Sequence, residues 1–121
     1  MLEKIRANVK AGKWEVTASH WVENDNNIVG TEALCRHVLY TRKYMQKLFG
    51  LNPEDVPINW APDTFGHAAT IPNYLAQSAM KFMYLHRPGT MSSPRPRAFF
   101  WKGTDGSQVL VKNDIGIGYN A

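Results

Sequence analysis

Residues 56–67 read VPINWAPDTFGH, a stretch that predicts a strand, a turn and the approach to a helix. Its first half, Val56 to Ala61, has the apolar and aromatic composition of a short strand. Pro62 to His67 predicts the turn out of that strand, and Gly66 lets the backbone bend sharply. A helix is expected to begin near Pro72, because proline is tolerated in a first turn. This order of elements is typical of parallel α/β proteins.

The clearest helix is predicted upstream, from about Thr31 to Phe49. Its apolar stripe recurs at alternating steps of four and three residues, at Leu34, Val38, Thr41, Met45 and Leu48. Thr31 is a candidate N-cap and Gly50 a candidate stop. The charged side chains on the opposite face are predicted to be solvated surface.

Residues 1–27 are predicted to contain a helix, a strand and a loop. The helix spans residues 1 to about 11, where apolar residues recur at spacings of three and four. Trp14 to Ala18 alternates bulky and polar side chains and therefore predicts a strand. Residues 23–27 are rich in amide and carboxylate side chains, which favour turns.

A further strand and a β-hairpin are predicted after the central stretch. The strand is Lys81 to Leu85, and an irregular segment, His86 to Arg97, follows it. Ala98 to Lys102 and Gln108 to Lys112 flank an Asp-Gly pair, which is typical of a hairpin turn. Together the elements predict an α/β fold of parallel units with a C-terminal antiparallel hairpin.

The composition limits the classes of protein and partner. A chain of 121 residues with 44% hydrophobic residues fits one globular domain. No apolar run is long enough to cross a bilayer, and residues 1–13 do not resemble a signal peptide, so we expect a cytoplasmic protein without a membrane partner. The single cysteine, Cys35, can form no internal disulfide and is predicted to be buried.

The net charge of +4 raises the alternative of a nucleic-acid partner. Cations and aromatic side chains do interleave from Arg95 to Trp101, as they do in proteins that bind single strands. The basic residues are otherwise spread along the chain without one dense cluster. We therefore expect no nucleic-acid partner.

Asp63 is the leading candidate for a functional residue. It follows the strand predicted to end near Ala61, and functional side chains of α/β proteins gather where strands end at their carboxyl side. An aspartate at such a place also commonly makes a local turn or caps a helix. Position alone therefore leaves a structural and a functional interpretation open.

Three stretches of the sequence resemble glycoside hydrolase family 38 in their residues, order and spacing. The first combines GKWEV at 12–16 with WVE at 21–23, the second is WAPDTFGH at 60–67, and the third is FWKGTDGS at 100–107. The resemblance covers nearly the whole chain. The segment around Asp63 is its most specific part.

The resemblance implies a retaining α-mannosidase that acts on α-mannosides or mannose-containing oligosaccharides. Residues 1–121 would be part of its catalytic domain, a segment of a parallel (β/α) barrel-like fold with the hairpin at the C-terminal end. Asp63 matches the nucleophile, which forms a glycosyl-enzyme intermediate and is also one ligand of a single zinc ion (Zn2+).

Three further residues match family positions near the substrate. Phe65 resembles an aromatic residue beside the sugar, Arg87 an arginine that reaches the substrate or the nucleophile, and Tyr119 a tyrosine near the sugar. Simple packing of Phe65 and a surface position for Arg87 stay open as alternatives. His67 is not among the implied zinc ligands, and we expect it to hydrogen-bond to backbone.

The resemblance also implies that parts of the active site are absent from this sequence. The other zinc ligands and the acid/base carboxylate belong to motifs that residues 1–121 do not contain. We therefore expect the chain to be inactive and to retain no zinc, and its unpaired strand edges to favour homo-oligomers. The alternative is a non-catalytic α/β carbohydrate-binding or interaction module.

Overall fold

The structure is a computed structural model that describes residues 1–87 and 96–114. Within these ranges the chain forms three α-helices, one 3-10 turn and four strands. They are α1 (Leu2–Lys10), α2 (Thr31–Phe49), the 3-10 turn (Pro53–Asp55), β1 (Ile58–Ala61), α3 (Ile71–Gln77), β2 (Phe82–Leu85), β3 (Ala98–Lys102) and β4 (Gln108–Asn113). No helix in these ranges has both the length and the apolar character needed to span a membrane.

The strands form one mixed sheet in the order β1-β2-β4-β3. β1 runs parallel to β2, β2 runs parallel to β4, and β3 runs antiparallel to β4. Ala61 is paired with Leu85, and Leu85 with Asn113, so three strands finish their carboxyl ends at the same end of the sheet. The predicted α/β fold with parallel strands and an antiparallel hairpin is confirmed at this level.

The core joins one face of the sheet to α2 and α3. Side chains alternate between the two faces of a strand, and in β4 the positions at Val109 and Val111 are buried. The buried apolar cluster consists of Leu34, Val38, Ala61, Ile71, Tyr74, Leu75, Met80, Met83, Leu85, Val109 and Val111. Full burial of a large apolar side chain contributes about 1.5–3 kcal/mol, so this face stabilises the arrangement of helices and strands.

The opposite face of the sheet keeps large aromatic side chains in solvent. Trp60, Phe82 and Phe100 are 45%, 42% and 69% exposed. The Trp60 ring stacks on that of Tyr84, its partner on the neighbouring strand, with centroids 4.1 Å apart. A concentration of exposed apolar side chains is typical of an interaction surface.

The prediction of a strand at residues 14–18 is wrong, since the structure has no strand there. The next residue, Ser19, instead contacts β1 through its side chain. The Trp60 N–H donates to Ser19 Oγ at 3.3 Å, and Ser19 Oγ donates to Asn59 Oδ1 at 2.9 Å. A strand requires a ladder of backbone hydrogen bonds, which alternating bulky and polar side chains cannot supply by themselves.

The predicted bounds of α2 are confirmed, but its first residue is not the cap. Gly30 occupies the N-cap position, and no side chain caps the helix there. Gly50 ends the helix with a φ of 72°, the left-handed conformation expected of a glycine stop. Cys35 is exposed, contrary to prediction, because it lies beside the buried stripe that begins at Leu34.

Candidate active site

Asp63 and Arg87 lie at the carboxyl end of the sheet. β1 ends at Ala61, and its parallel neighbour β2 ends at Leu85, the residue with which Ala61 is paired. Each of the two charged residues comes two positions after its strand. Asp63 Oδ1 and Arg87 Nε are 2.5 Å apart. The structure therefore pairs two predicted site residues that follow different strands.

The two side chains of this ion pair are partly exposed to solvent. The side chains of Arg87 and Asp63 are 49% and 38% exposed. An ion pair at such an exposed position contributes at most about 1 kcal/mol to stability. The paired oxygen, Asp63 Oδ1, is itself buried, so a solute would reach this carboxylate through the part of the side chain that remains exposed. The ion pair adds little to the stability of the fold.

Phe65 lies against the same guanidinium group. Its ring is 69% exposed, and Arg87 Cζ is 5.1 Å from the ring centroid, which is within cation–π distance. Arg87 thus contacts the carboxylate on one side and an aromatic ring on another. The fourth predicted site residue, Tyr119, lies outside the described residues.

His67 connects the turn after β1 to the end of β2. Its Nε2 is 2.9 Å from the carbonyl oxygen of Arg87, and since a carbonyl only accepts, Nε2 carries the proton. Nδ1 is therefore the acceptor, 3.2 Å from Asn26 Nδ2. Burial lowers the pKa of His67, while its hydrogen bond to the Arg87 backbone has a smaller opposing effect. The expected bond to backbone is confirmed, and both ring nitrogens are occupied.

Residues 24–28 brace this turn. Asn26 forms an isolated parallel bridge with His67, and its carbonyl accepts from the Ala68 N–H at 3.0 Å. A Cβ added at Gly66 would lie 3.1 Å from the Cβ of Asn27, so glycine permits this close approach. The contact has no signal in the sequence, because turn-forming residues do not indicate which distant segment they meet.

Asp114 is a further carboxylate at the carboxyl end of the sheet. It follows β4, and its N–H donates to the carbonyl of Leu85 at 2.8 Å. Its Oδ2 accepts from the Tyr84 hydroxyl at 2.6 Å. The signal that points to Asp63, an acid just after a parallel strand, also applies to Asp114. This signal becomes visible only in the structure, because the sequence predicts β4 as the second strand of a hairpin and does not show that it runs parallel to β2.

A polar network joins His20, which precedes α2 in the chain, to Tyr74 of α3 and Leu34 of α2. His20 Nε2 is 2.8 Å from the Tyr74 hydroxyl, which donates to the carbonyl of Leu34 at 3.1 Å. Burial, and then the neighbouring His37, lowers the pKa of His20 to about 4. Burial also raises the pKa of Tyr74. Both groups are therefore neutral at pH 7.

The described residues do not by themselves fit a zinc site. Across residues 1–87 and 96–114, no three His, Cys, Asp or Glu side chains are grouped closely enough to hold a metal ion. Asp63 offers one carboxylate, and one of its oxygens is paired with Arg87. Because zinc uses about three or four protein ligands, these residues do not form a complete zinc site.

The sequence is similar to proteins named as α-mannosidases. "Alpha-mannosidase" of Saccharomyces cerevisiae is 36% identical over 103 residues, which cover 84% of this chain and 9% of that protein. "Alpha-mannosidase 2C1" of Homo sapiens is 31% identical over 121 residues, which cover 98% of this chain and 11% of that protein. The chain therefore spans about a tenth of the length of these relatives.

The fold is similar to parts of two larger solved structures. An α-mannosidase from Enterococcus faecalis V583 superposes with a TM-score of 0.74 at 22% identity, covering 92% of this chain and 12% of that one. A 4-α-glucanotransferase from Thermococcus litoralis also gives a TM-score of 0.74, at 15% identity, covering 93% of this chain and 18% of that one. At these identities the likeness concerns the fold alone.

A match to a family profile shows which protein family this chain belongs to. The profile of the "Glycosyl hydrolases family 38 N-terminal domain" matches residues 1–120. This match includes the strand that ends at Ala61, the turn that carries Asp63 and the end of β2 that carries Arg87. The chain belongs to glycosyl hydrolase family 38 and corresponds to part of its N-terminal domain.

Proposed function

We propose that residues 1–121 are part of the catalytic domain of a retaining α-mannosidase, with Asp63 as its nucleophile. The observation that carries this proposal is the Asp63 side chain, which follows a parallel strand, is 38% exposed and is ion-paired with Arg87 at 2.5 Å. The similarity to proteins named as α-mannosidases supports an α-mannoside or a mannose-containing oligosaccharide as the substrate.

The proposed reaction begins with attack by the carboxylate. An oxygen of Asp63 bonds to the anomeric carbon as the glycosidic bond breaks, which gives a glycosyl-enzyme that water then hydrolyses. The positive charge of the Arg87 guanidinium, which is ion-paired with Asp63 Oδ1, attracts the carboxylate toward the end of β2. The exposed ring of Phe65 offers an apolar surface to one face of a sugar. Tyr119 is proposed as a further substrate contact.

The leaving group must be protonated by a second carboxylic acid, which in retaining enzymes lies about 5–5.5 Å from the nucleophile. We assign this role to a residue beyond residues 1–121. Asp63 is also proposed as one zinc ligand in a longer protein, with the remaining ligands supplied by other segments. Accordingly, the 121-residue chain is expected to bind zinc weakly and to hydrolyse no mannoside.

We also propose that the catalytic domain of the longer protein has a barrel-like fold. Its support is the parallel order of β1, β2 and β4 together with the placement of α3 between β1 and β2 in the chain. A strand, a helix and a parallel strand form the repeating unit of such barrels. Further strands would continue the sheet from its edges, β1 and β3. Within residues 1–87 and 96–114, β3 pairs with no strand other than β4, and its free edge is where copies of this chain would join.

Asp63→Ala in a longer protein that contains this segment tests the proposed function. We expect kcat on an aryl α-mannoside to fall on the order of 10⁴-fold or more, because no group remains to form the intermediate. Asp105→Ala is the matched control, since Asp105 is exposed in the hairpin turn between β3 and β4. An Asp63→Ala enzyme with unchanged kcat would refute the assignment.

The alternative of a non-catalytic carbohydrate-binding module makes a different prediction. Such a module would bind mannosides in the longer protein without turnover. Calorimetric titration with a mannoside, run beside the activity assay, separates the two functions. Binding without any hydrolysis by the unsubstituted protein would favour the alternative.

A further inference from the structure

The geometry points to His67 as a positioning residue that sets where the Arg87 guanidinium meets Asp63. This inference rests on the proposed function, because it describes how the nucleophile of that reaction is held. His67 does not pair with either charged group through its side chain. It acts through the backbone of Arg87, whose carbonyl oxygen is 2.9 Å from Nε2.

The hydrogen bonds that end on Arg87 have only one consistent direction. Asn24 Nδ2 donates to Asn26 Oδ1 at 2.6 Å, and Asn26 Nδ2 lies 3.2 Å from His67 Nδ1. The Arg87 carbonyl can only accept, so His67 donates from Nε2 and accepts at Nδ1. Each amide and each ring nitrogen then has a role that agrees with its neighbours.

The position of Arg87 explains why such a bond matters. Arg87 lies two residues beyond the end of β2, where the backbone ladder of the parallel strands has finished. Its side chain nevertheless has two partners, Asp63 Oδ1 at 2.5 Å and the Phe65 ring at 5.1 Å. Fixing the carbonyl of Arg87 restricts the direction in which its side chain leaves the backbone.

His67 is itself held in place from several sides. Its ring packs edge-on against Trp101 of β3, with centroids 6.2 Å apart and an interplanar angle of 89°. The bridge to Asn26 and the hydrogen bond from the Ala68 N–H to the Asn26 carbonyl fix the backbone around it. Through its hydrogen bond to the Arg87 carbonyl, His67 therefore fixes the position of Arg87 relative to the turn after β1.

Two substitutions by amide residues test the roles of Nε2 and Nδ1 separately. In His67→Gln the amide nitrogen can reach the position of Nε2 and donate to Arg87. In His67→Asn the shorter amide can replace only Nδ1 and accept from Asn26. If His67 positions Arg87, the glutamine variant keeps the contacts of the guanidinium, and the asparagine variant loses them, although both remove the ring.

Nuclear magnetic resonance on the 121-residue chain reads out this difference without any enzyme activity. The signals are the Arg87 Nε–H resonance and its cross-relaxation with the Phe65 ring protons. We expect the cross-peaks in the unsubstituted chain and in His67→Gln, and their loss in His67→Asn. Cross-peaks that persist in His67→Asn, or that are lost in both variants, would overturn the inference.

Two further measurements test whether a loss of the Arg87 signals is specific to His67. Long-range nitrogen–proton correlation on the unsubstituted chain gives the tautomer of His67, and a proton on Nδ1 would overturn the inference without any variant. His37→Asn is the matched control, because His37 lies on α2 and packs against His20. It should leave the Arg87 signals unchanged, and a loss of those signals here as well would overturn the inference.

In a longer, active protein the same variants should affect turnover. We expect kcat to fall on the order of 10²-fold in His67→Asn, with KM nearly unchanged and with recovery in His67→Gln, because a small displacement of the reacting group is enough. An unaltered kcat in His67→Asn would contradict a positioning role. A longer protein that shows the resonance pattern but no mannosidase activity would instead refute the proposed function.

Discussion

At the scale of single residues, the candidate site and the stability of the fold depend on different side chains. Asp63 is partly exposed, Arg87 and Phe65 are exposed, and they are joined by an ion pair and a cation–π contact. The polar groups that matter for stability lie deeper, where partly buried His20 contacts the buried Tyr74. Changes at the site should therefore alter chemistry with little effect on folding, and changes at His20 and Tyr74 should do the reverse.

His20 should make the protein less stable in mild acid. Its pKa is about 4 in the folded chain against an ordinary value of 6.5, so the unfolded chain takes up the proton more readily. The stabilising contribution of neutral His20 is therefore complete above about pH 6.5 and is lost as the pH falls toward 4. With about 1.4 kcal/mol for each pKa unit, the loss amounts to about 3 kcal/mol.

Urea unfolding at a series of pH values between 7 and 4 measures this effect. The free energy of unfolding of the unsubstituted chain should fall more steeply than that of His20→Gln, which has no proton to take up. His67, whose pKa is also lowered, remains in both proteins and contributes to the fall in each. Equal slopes for the two proteins would contradict the assignment to His20.

At the scale of elements, sequence patterns predict what is local and miss what depends on distant partners. The bounds of α2 follow from its apolar stripe and from Gly50, both of which act within a few residues. The strand at residues 14–18 was predicted from alternation and is absent, since Ser19 contacts β1 with its side chain instead. The position of Asp63 could be predicted in the same way, because the strand and the turn that place it are adjacent in the sequence. The contact of Asn26 with His67 could not, because it joins segments that meet only in the folded chain.

Gly50 provides a test at this scale. It holds a φ of 72° with nothing near its missing Cβ, so a substitution there changes backbone strain and leaves the packing alone. Gly50→Ala should lower the free energy of unfolding by about 1–2 kcal/mol, the value for an L-residue in the left-handed conformation. Gly50→Asn should lower it less, because asparagine tolerates this conformation. Equal losses in the two variants, measured by urea unfolding, would argue against a strained stop.

At the scale of the whole molecule, one face of the sheet carries exposed aromatic side chains among the described residues. The core occupies the face that contacts α2 and α3, while Trp60, Phe82 and Phe100 on the opposite face are exposed. The solved structures with this fold are much longer, since their matched parts cover 12% and 18% of the chains. The mixed α/β fold could be predicted from the order of elements, but the exposure of this face could not, because the alternation of side chains along a strand does not say which face packs against the helices.

We expect the 121-residue chain to associate with itself through this sheet. Phe100 lies on the edge strand β3 and is 69% exposed, so Phe100→Lys would place a charge where a second copy must pack. Sedimentation velocity over a range of concentrations should show weaker association for this variant than for the unsubstituted chain. Leu39→Lys, at an exposed position of α2, is the control and should associate as the unsubstituted chain does. A monomeric unsubstituted chain at all concentrations would contradict the expectation.

The central claim, that Asp63 is the nucleophile, is tested most directly by trapping the intermediate. A longer protein containing this segment is treated with an activated fluorinated mannoside, which forms the glycosyl-enzyme faster than water removes it, and the digested protein is then examined by mass spectrometry. We predict one added sugar on the peptide that contains residues 60–67, located on Asp63 by fragmentation. A sugar attached to a different carboxylate would contradict the claim.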